Sequence, residues 1–182
     1  MVVVLGIFLV AMTAATSIFV SAHKASARTV ALTRTSGDAR WVMEKMVGDI
    51  RLATVDYASL RLDGEGKASQ LFLRTQEGKL VGYGMPSDAD RVSVCGGASG
   101  CIMFFPEDST TPARITGNSI AVKRLDFYVW PQKDPFVLAS DGRALGQPRV
   151  TIVLDTETVG GKKEEQSHLS LQTTVSTRVY KR

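Results

Sequence analysis

The feature that most constrains this chain is an uncharged apolar run over residues 1–22, from Met1 to Ala22. A helix of this length rises about 33 Å, enough for the hydrocarbon core of a bilayer. The run therefore predicts a membrane-spanning helix, and the rest of the chain is what that helix carries. A cleaved signal peptide is the alternative, because Val20-Ser21-Ala22 has the small residues of a cleavage site. The missing basic n-region and the length of the run favour the membrane span.

Two features bear on the side of the membrane that the remaining chain occupies. Lys24 and Arg28 flank the run on its C-terminal side, and the positive-inside rule alone would place that side in the cytoplasm. Cys95 and Cys101, the only cysteines, bracket a glycine-rich loop. Two unpaired thiols are one interpretation, and a disulfide formed in an oxidising compartment is the favoured one. We therefore expect a single-pass anchor in the inner or cytoplasmic membrane, with the head outside the cytoplasm.

Residues 23–56 are expected to continue the helix beyond the membrane. No proline occurs between His23 and Ala53, and good helix formers are frequent. Gly37, between Ser36 and Asp38, is a candidate interruption, but the flanking segments favour continuity with a bend. The later part is amphipathic, and its apolar stripe is expected to pack on the head. The packing residues of this stripe are Val42, Met46, Val47, Ile50 and Ala53.

The remaining residues, 57–182, form the predicted head, in which the hydrophobic period changes from helical to alternating. The predicted strands lie at residues 69–75, 79–85, 91–95, 102–105, 119–130, 150–155 and 169–176. They pair in chain order as hairpins: the first two strands, the two around the glycine loop, and the last two through a turn at 160–163. The apolar alternation in 119–130 changes phase at Lys123-Arg124, which predicts a β-bulge there. Residues 131–148 are predicted to form a loop. A helix packed on an antiparallel sheet gives an α+β fold.

No motif for enzymatic chemistry or cofactor binding stands out. The net charge is only +4 and most of the excess lies near the helix, so nothing favours nucleic acid. His168 falls in an alternating strand and reads as a surface imidazole without a catalytic partner. Residues 63–66 and 88–90 carry carboxylates in loops, where turn chemistry is the favoured interpretation and calcium binding the alternative. We expect neither an enzyme nor a cofactor.

Three short stretches carry a resemblance to a known family. Residues 1–9 resemble the part of a prepilin N-terminus that follows the processing motif, residues 43–53 are similar to the helix end of minor pseudopilins of the J type, and residues 169–178 resemble the last strand of many minor-pilin-like proteins. Together with the layout, they resemble the type IV pilin and pseudopilin superfamily. The resemblance implies a structural subunit of a type IV pilus or type II secretion filament. Its partners would be other pilin or pseudopilin subunits, the assembly platform and the bilayer, and the filament would be periplasmic or at the cell surface.

Small residues along the apolar run permit close helix approach in lipid or in a filament. The residues expected to pack there are Leu5, Gly6, Phe8, Leu9, Ala11 and Ala15. Family members also carry a basic leader, a glycine cleavage site and a nearby glutamate, which this sequence lacks. We therefore expect Met1 to be an internal methionine, or the sequence a fragment.

Two functions of different classes remain open at this point. The first is a minor pilin or pseudopilin that polymerises through its N-terminal helix. The second is a membrane-anchored extracytoplasmic binding or sensor domain that does not polymerise, or an enzyme of unrecognised type. A leader with the glycine and the glutamate, read in frame upstream of Met1, would discriminate between them.

Overall fold

The chain begins with one unbroken helix, α1, over Val2–Leu52. The computed structural model describes residues 2–87, 89–97, 100–106, 111–135, 146–159 and 166–178. The 51 residues of α1 give a rod of about 77 Å. The expected continuity through Gly37 is confirmed, and the helix ends one residue before Ala53. Asp38 does not cap a new helix, because α1 continues through it, and its carboxylate accepts a hydrogen bond from the Ser119 hydroxyl.

Within the described ranges, nine strands follow α1 and form two antiparallel sheets. The strands are β1 (Thr54–Val55), β2 (Lys67–Ala68), β3 (Gln70–Arg74), β4 (Leu80–Gly84), β5 (Met103–Phe105), β6 (Ala113–Arg114), β7 (Ile120–Trp130), β8 (Arg149–Thr158) and β9 (His168–Ser176). One sheet has the order β1-β3-β4-β5-β6, and the other has the order β2-β7-β8-β9. The α+β fold is confirmed, with the strands of the described residues divided between two sheets where one was expected.

A single apolar core joins α1 to both sheets. The helix contributes Met46 and Ile50, which are fully buried, and it packs mainly against β8 and β9. The sheet that contains β3 adds Leu71 and Leu73, while Phe127 comes from the other sheet. Because both sheets bury side chains against one helix face, α1 is the element that holds the head together.

One predicted strand is wrong. Arg91–Cys95 forms a short helix, α2, so the predicted hairpin around the glycine loop does not exist. Gly96 has φ +71° and donates its N–H to the carbonyl of Val92, which is a left-handed helix end that suits glycine. Five alternating residues satisfy a short helix as well as a strand, so periodicity alone cannot separate the two.

The predicted disulfide is confirmed, between Cys95 at the end of α2 and Cys101 before β5. Their Cα atoms lie 5.6 Å apart, a typical disulfide separation. The Arg114 guanidinium donates to the carbonyls of Cys95, Thr116 and Gly117 at 2.6, 2.8 and 2.7 Å. The disulfide and this arginine together join α2 to the edge of the first sheet.

Both remaining hairpins and the bulge are confirmed. β3 pairs with β4, and the ladder of β7 with β8 shifts register between Val122 and Arg124. β8 pairs with β9 along nine residue pairs. The turn predicted at 160–163 lies outside the described residues. Of the predicted loop at 131–148, residues 131–135 and 146–148 carry no helix or strand, and 136–145 lie outside the described residues.

Candidate functional site: the N-terminal helix

The first half of α1 is an exposed apolar cylinder. Every residue from 3 to 26 is exposed, including Leu5 at 63%, Phe8 at 60% and Leu9 at 55%. The most apolar stretch of 18 residues has a mean hydropathy of 2.4, and none of it is buried in the protein. The helix is therefore long and apolar enough to cross a membrane.

The threonine hydroxyls of α1 are satisfied within the helix itself. Thr13 donates to the carbonyl of Val10 at 2.9 Å, and Thr16 donates to the carbonyl of Met12 at 2.8 Å. Thr29, Thr33 and Thr35 make the same kind of bond further along. A hydroxyl without a partner is costly in hydrocarbon, so this arrangement makes the helix compatible with lipid.

Small residues form a shallow apolar depression along the exposed half of α1. Gly6, Ala11 and Ala14 line it, and Val3, Ile7 and Val10 form its walls. Apart from Gly6, its two neighbours and the adjacent helix backbone, no described atom lies within 4 Å of the position that a Cβ on Gly6 would occupy. Ala15 is exposed as well. A second helix can approach closely here, as small residues permit in membrane helix packing.

The second half of α1 is embedded in the head. Burial begins at Thr35, and Val42, Met46, Ile50 and Ala53 are at most 3% exposed. Val47 is half-buried and packs against the same core. The structure thus brings four of the five predicted packing residues fully into the core and leaves Val47 at its margin. The two halves of the helix have different environments although the helix between them is continuous.

Polar contacts also connect α1 to the first sheet, and the sequence did not predict them. The Tyr83 hydroxyl of β4 donates to the Asp49 carboxylate, which also pairs with Lys45 at 3.2 Å. The Lys45 ammonium lies 5.1 Å from the centre of the Phe104 ring. Burial, together with the Asp49 carboxylate, raises the pKa of Tyr83. In the sequence Lys45 and Asp49 resemble an ordinary solvated helix face, so no signal there reveals that they contact the sheet.

The charged side chains near the end of α1 bind other side chains of the protein. An open cleft of about 540 Å³ between α1 and the β3–β4 hairpin is lined by Lys45, Asp49, Glu77 and Phe104, among others. The lysine and the aspartate bind each other, and the aspartate also accepts from Tyr83. Within the described ranges, no group of three or more His, Cys, Asp or Glu side chains is placed to hold a metal ion.

The remaining candidate residues lie apart from α1. His168 is exposed at the start of β9. The Asp63 carboxylate accepts the backbone N–H groups of Glu65 and Lys67, both at 2.9 Å, so turn chemistry accounts for this loop. Asp88 lies outside the described residues, and Asp90 accepts a hydrogen bond from the Ser87 hydroxyl.

An ion pair ties the start of the first sheet to β3. The side chain of Asp56 is 10% exposed, and its carboxylate lies 3.1 Å from the Arg74 guanidinium. Burial alone raises the pKa of Asp56, but the hydrogen bonds from Ser59 and Arg74 and the arginine charge outweigh it. The net pKa lies below its usual value, so the ionised carboxylate stabilises the folded chain.

Replacing Arg74 by methionine is expected to lower the free energy of unfolding at pH 7 by about 1 kcal/mol. In the parent chain the contribution of Asp56 is present above its unfolded pKa and is lost as the pH falls through the lower folded pKa. Between about pH 5 and about pH 2, the free energy of unfolding of the variant is expected to fall by less than that of the parent chain. Denaturant titrations at several pH values measure both effects. Lys123→Met, which breaks the exposed Lys123–Glu157 pair, is the control and should change little; equal effects of the two substitutions would contradict the assignment.

Comparison of the chain with protein-family models, with curated proteins and with solved structures finds no match. The geometry of α1 and of the head is therefore the basis for proposing what the protein does.

Proposed function

We propose that the protein is a structural subunit of a filament, a minor pilin or pseudopilin of a type IV pilus or type II secretion system. The observation that carries the proposal is the division of one continuous helix. Residues 3–22, which belong to the apolar run, are all exposed, whereas Val42, Met46 and Ile50 are buried in the head. A helix used only for the head's own core would not extend so far beyond it.

The exposed half of α1 serves two environments. In the membrane, lipid covers its apolar side chains, and the subunit is stored as an anchored monomer. In a filament, the same side chains contact the helices of neighbouring subunits. Because lipid tails are as apolar as leucine, close packing at Gly6, Ala11 and Ala15 decides whether helices prefer each other to lipid.

The partners follow from this division. Other pilin or pseudopilin subunits would contact the exposed half of α1, and an assembly platform in the membrane would extract the subunit. The head would lie outside the cytoplasm, and the disulfide between Cys95 and Cys101 supports that location, since such bonds persist in oxidising compartments. The filament would then be periplasmic or at the cell surface. A membrane-anchored binding domain that does not polymerise shares all of these features except contact between helices of different subunits.

Photo-crosslinking separates the two functions. A photoreactive amino acid replaces Phe8, which lies in the exposed apolar half, and the full chain is expressed in its source cells. A filament subunit is expected to give a ladder of crosslinked species that contain two or more copies or sister subunits. A domain that does not polymerise is expected to crosslink to lipid alone. The matched control places the same amino acid at Phe72, whose ring packs against Phe105 within the head; it should give no ladder. A Phe8 variant that crosslinks only to lipid would contradict the proposal.

A further inference from the structure

A second shallow groove runs along the apolar half of α1, on the side of the helix that also carries the head. Val42, in the core of the head, lies five helical turns after Lys24, so the two residues occupy the same side of α1. The groove has a volume of about 580 Å³ and is lined by Leu9, Met12, Thr13, Thr16, Ser17, Val20, Ser21 and Lys24.

The groove is apolar along most of its length and positively charged at one end. The hydroxyls of Thr13 and Thr16 donate to backbone carbonyls of the helix itself, so they need no partner in lipid. Lys24 closes the groove, and Arg28 follows one turn later on the same face. Both cations are exposed. An apolar channel that ends in positive charge matches the chemistry of an anionic lipid.

The two cations lie at the depth of lipid headgroups. With residues 3–22 in the hydrocarbon core, Lys24 lies about 3 Å and Arg28 about 9 Å beyond its boundary. The headgroup region is roughly 5–8 Å thick, and helical side chains lean toward the N-terminus, which here is toward the membrane. The first carboxylate of the sequence, Asp38, lies about 15 Å beyond Arg28 along the helix. Lipid phosphates are therefore the nearest anions along α1 to Arg28.

The undescribed residues nearest to the groove are too few to cover it. Residues 160–165 follow Val159, whose N–H donates to the carbonyl of Ser119, the residue that binds Asp38. A segment of this length that leaves and returns extends about 10 Å at most. Lys24, at the near end of the groove, lies about 21 Å from Asp38 along α1.

The other long undescribed segments attach further away. Residues 136–145 and 179–182 begin at the opposite end of the head, where Arg178 donates its N–H to the carbonyl of Arg51. Arg51 lies about 40 Å from Lys24 along the helix, whereas ten residues that leave and return extend about 17 Å at most. The head therefore leaves the groove to the membrane.

We propose that this groove and the two cations form a binding site for one anionic phospholipid. An acyl chain lies in the groove between Leu9 and Ser21, and the phosphate binds Lys24 and Arg28. The groove rises about 18 Å between these ends, which is comparable with the roughly 15 Å of hydrocarbon in one leaflet. Two adjacent cations favour a headgroup of net negative charge, because a zwitterionic headgroup carries its own cation. The inference rests on the membrane anchoring of α1 and not on filament assembly.

Native mass spectrometry of the full chain tests the lipid site. The chain is held in micelles of a non-ionic detergent and given equal amounts of phosphatidylglycerol and phosphatidylcholine with identical acyl chains. A preference of about ten-fold or more for phosphatidylglycerol is expected, because each cation near the phosphate contributes about five-fold. Inorganic phosphate at millimolar concentration should not displace the lipid, since it has no acyl chain for the groove.

Substitutions of the cations locate the headgroup. Lys24→Gln and Arg28→Gln together are expected to remove the preference, and Arg28→Gln alone to reduce it about five-fold. Arg28→Lys keeps the charge and should retain the preference. Arg34→Gln is the matched control, because it removes the same charge about 18 Å beyond the hydrocarbon core, where headgroups do not reach. The preference of this control should change by less than about two-fold.

Substitutions in the apolar part separate a bound lipid from a diffuse attraction between charges. Ser17→Phe places a ring in the groove and is expected to reduce the bound fraction of both lipids. The matched control Ala22→Phe adds the same ring on the opposite side of the helix from Lys24 and should leave both fractions unchanged. Both positions are exposed and lie outside the head, so neither substitution disturbs the folded core.

Four results would overturn the lipid site. They are equal binding of the two lipids by the parent chain, equal losses of preference in Arg28→Gln and Arg34→Gln, equal lipid binding by Ser17→Phe and Ala22→Phe, and displacement of the lipid by inorganic phosphate. The experiment needs no filament. A chain that prefers the anionic lipid but gives no crosslinked ladder through Phe8 would keep the lipid site and lose the filament proposal. A chain that gives the ladder without the preference would do the opposite.

Discussion

Replacing Met46 by alanine is expected to lower the free energy of unfolding of the head by about 3 kcal/mol. Met46 is fully buried on the embedded half of α1, in the one core that both sheets share. Removing its side chain takes apolar surface out of the core and leaves a cavity that rigid strands cannot fill. Urea denaturation of the full chain in detergent, followed by tryptophan fluorescence, measures the change.

Glu44→Ala is the control for Met46→Ala. Glu44 lies on the same helix two residues earlier, but it is exposed. Its replacement should change the free energy of unfolding by less than about 0.5 kcal/mol. A Met46→Ala chain as stable as the Glu44→Ala chain would show that α1 does not organise the core, and the division of the helix into two environments would lose its basis.

A Leu9→Arg substitution is expected to move the chain out of the membrane fraction. An arginine near the middle of a membrane span costs about 2.5–3.5 kcal/mol on translocon scales, which corresponds to about a hundred-fold shift in insertion. Leu9 is exposed on the apolar half of α1, so the substitution leaves the folded head intact. Fractionation after carbonate extraction measures the distribution.

Leu52→Arg is the matched control for Leu9→Arg, because it makes the same change on the same helix. Leu52 is 64% exposed at the end of α1, next to the head and far from the apolar run. We expect the control to stay in the membrane fraction. If Leu9→Arg fractionates like the control, α1 does not anchor the chain, and the filament proposal fails with it.

Local patterns predicted most of the regular elements. The proline-free, helix-forming composition through residue 53 predicted continuity across Gly37, and α1 is unbroken there. The alternation in 119–130 predicted both β7 and its bulge. In each case the deciding information lies within a few residues of the element itself, as hydrophobic period and helix propensity are short-range properties.

Local patterns gave wrong or incomplete predictions where the structure depends on how a segment ends or on a residue far away in the sequence. Residues 91–95 alternate like a strand, yet the left-handed conformation of Gly96 ends them as helix α2. Lys45 and Asp49 have the spacing of a solvated ion pair on a helix surface. In the structure, however, the Asp49 carboxylate also accepts a hydrogen bond from the Tyr83 hydroxyl of the first sheet. Periodicity carries no information about such partners.

The sequence by itself determined the long helix, its apolar first half and the alternating strands, because these follow from the order of polar and apolar residues along the chain. Only the tertiary structure decided that the described strands divide into two sheets and that Asp38 and Asp49 bind residues of the head. These outcomes depend on residues separated by as many as 81 positions, as Asp38 is from Ser119. Contacts at such separations form only when the whole core packs, so the packing of both sheets on one helix face selects them.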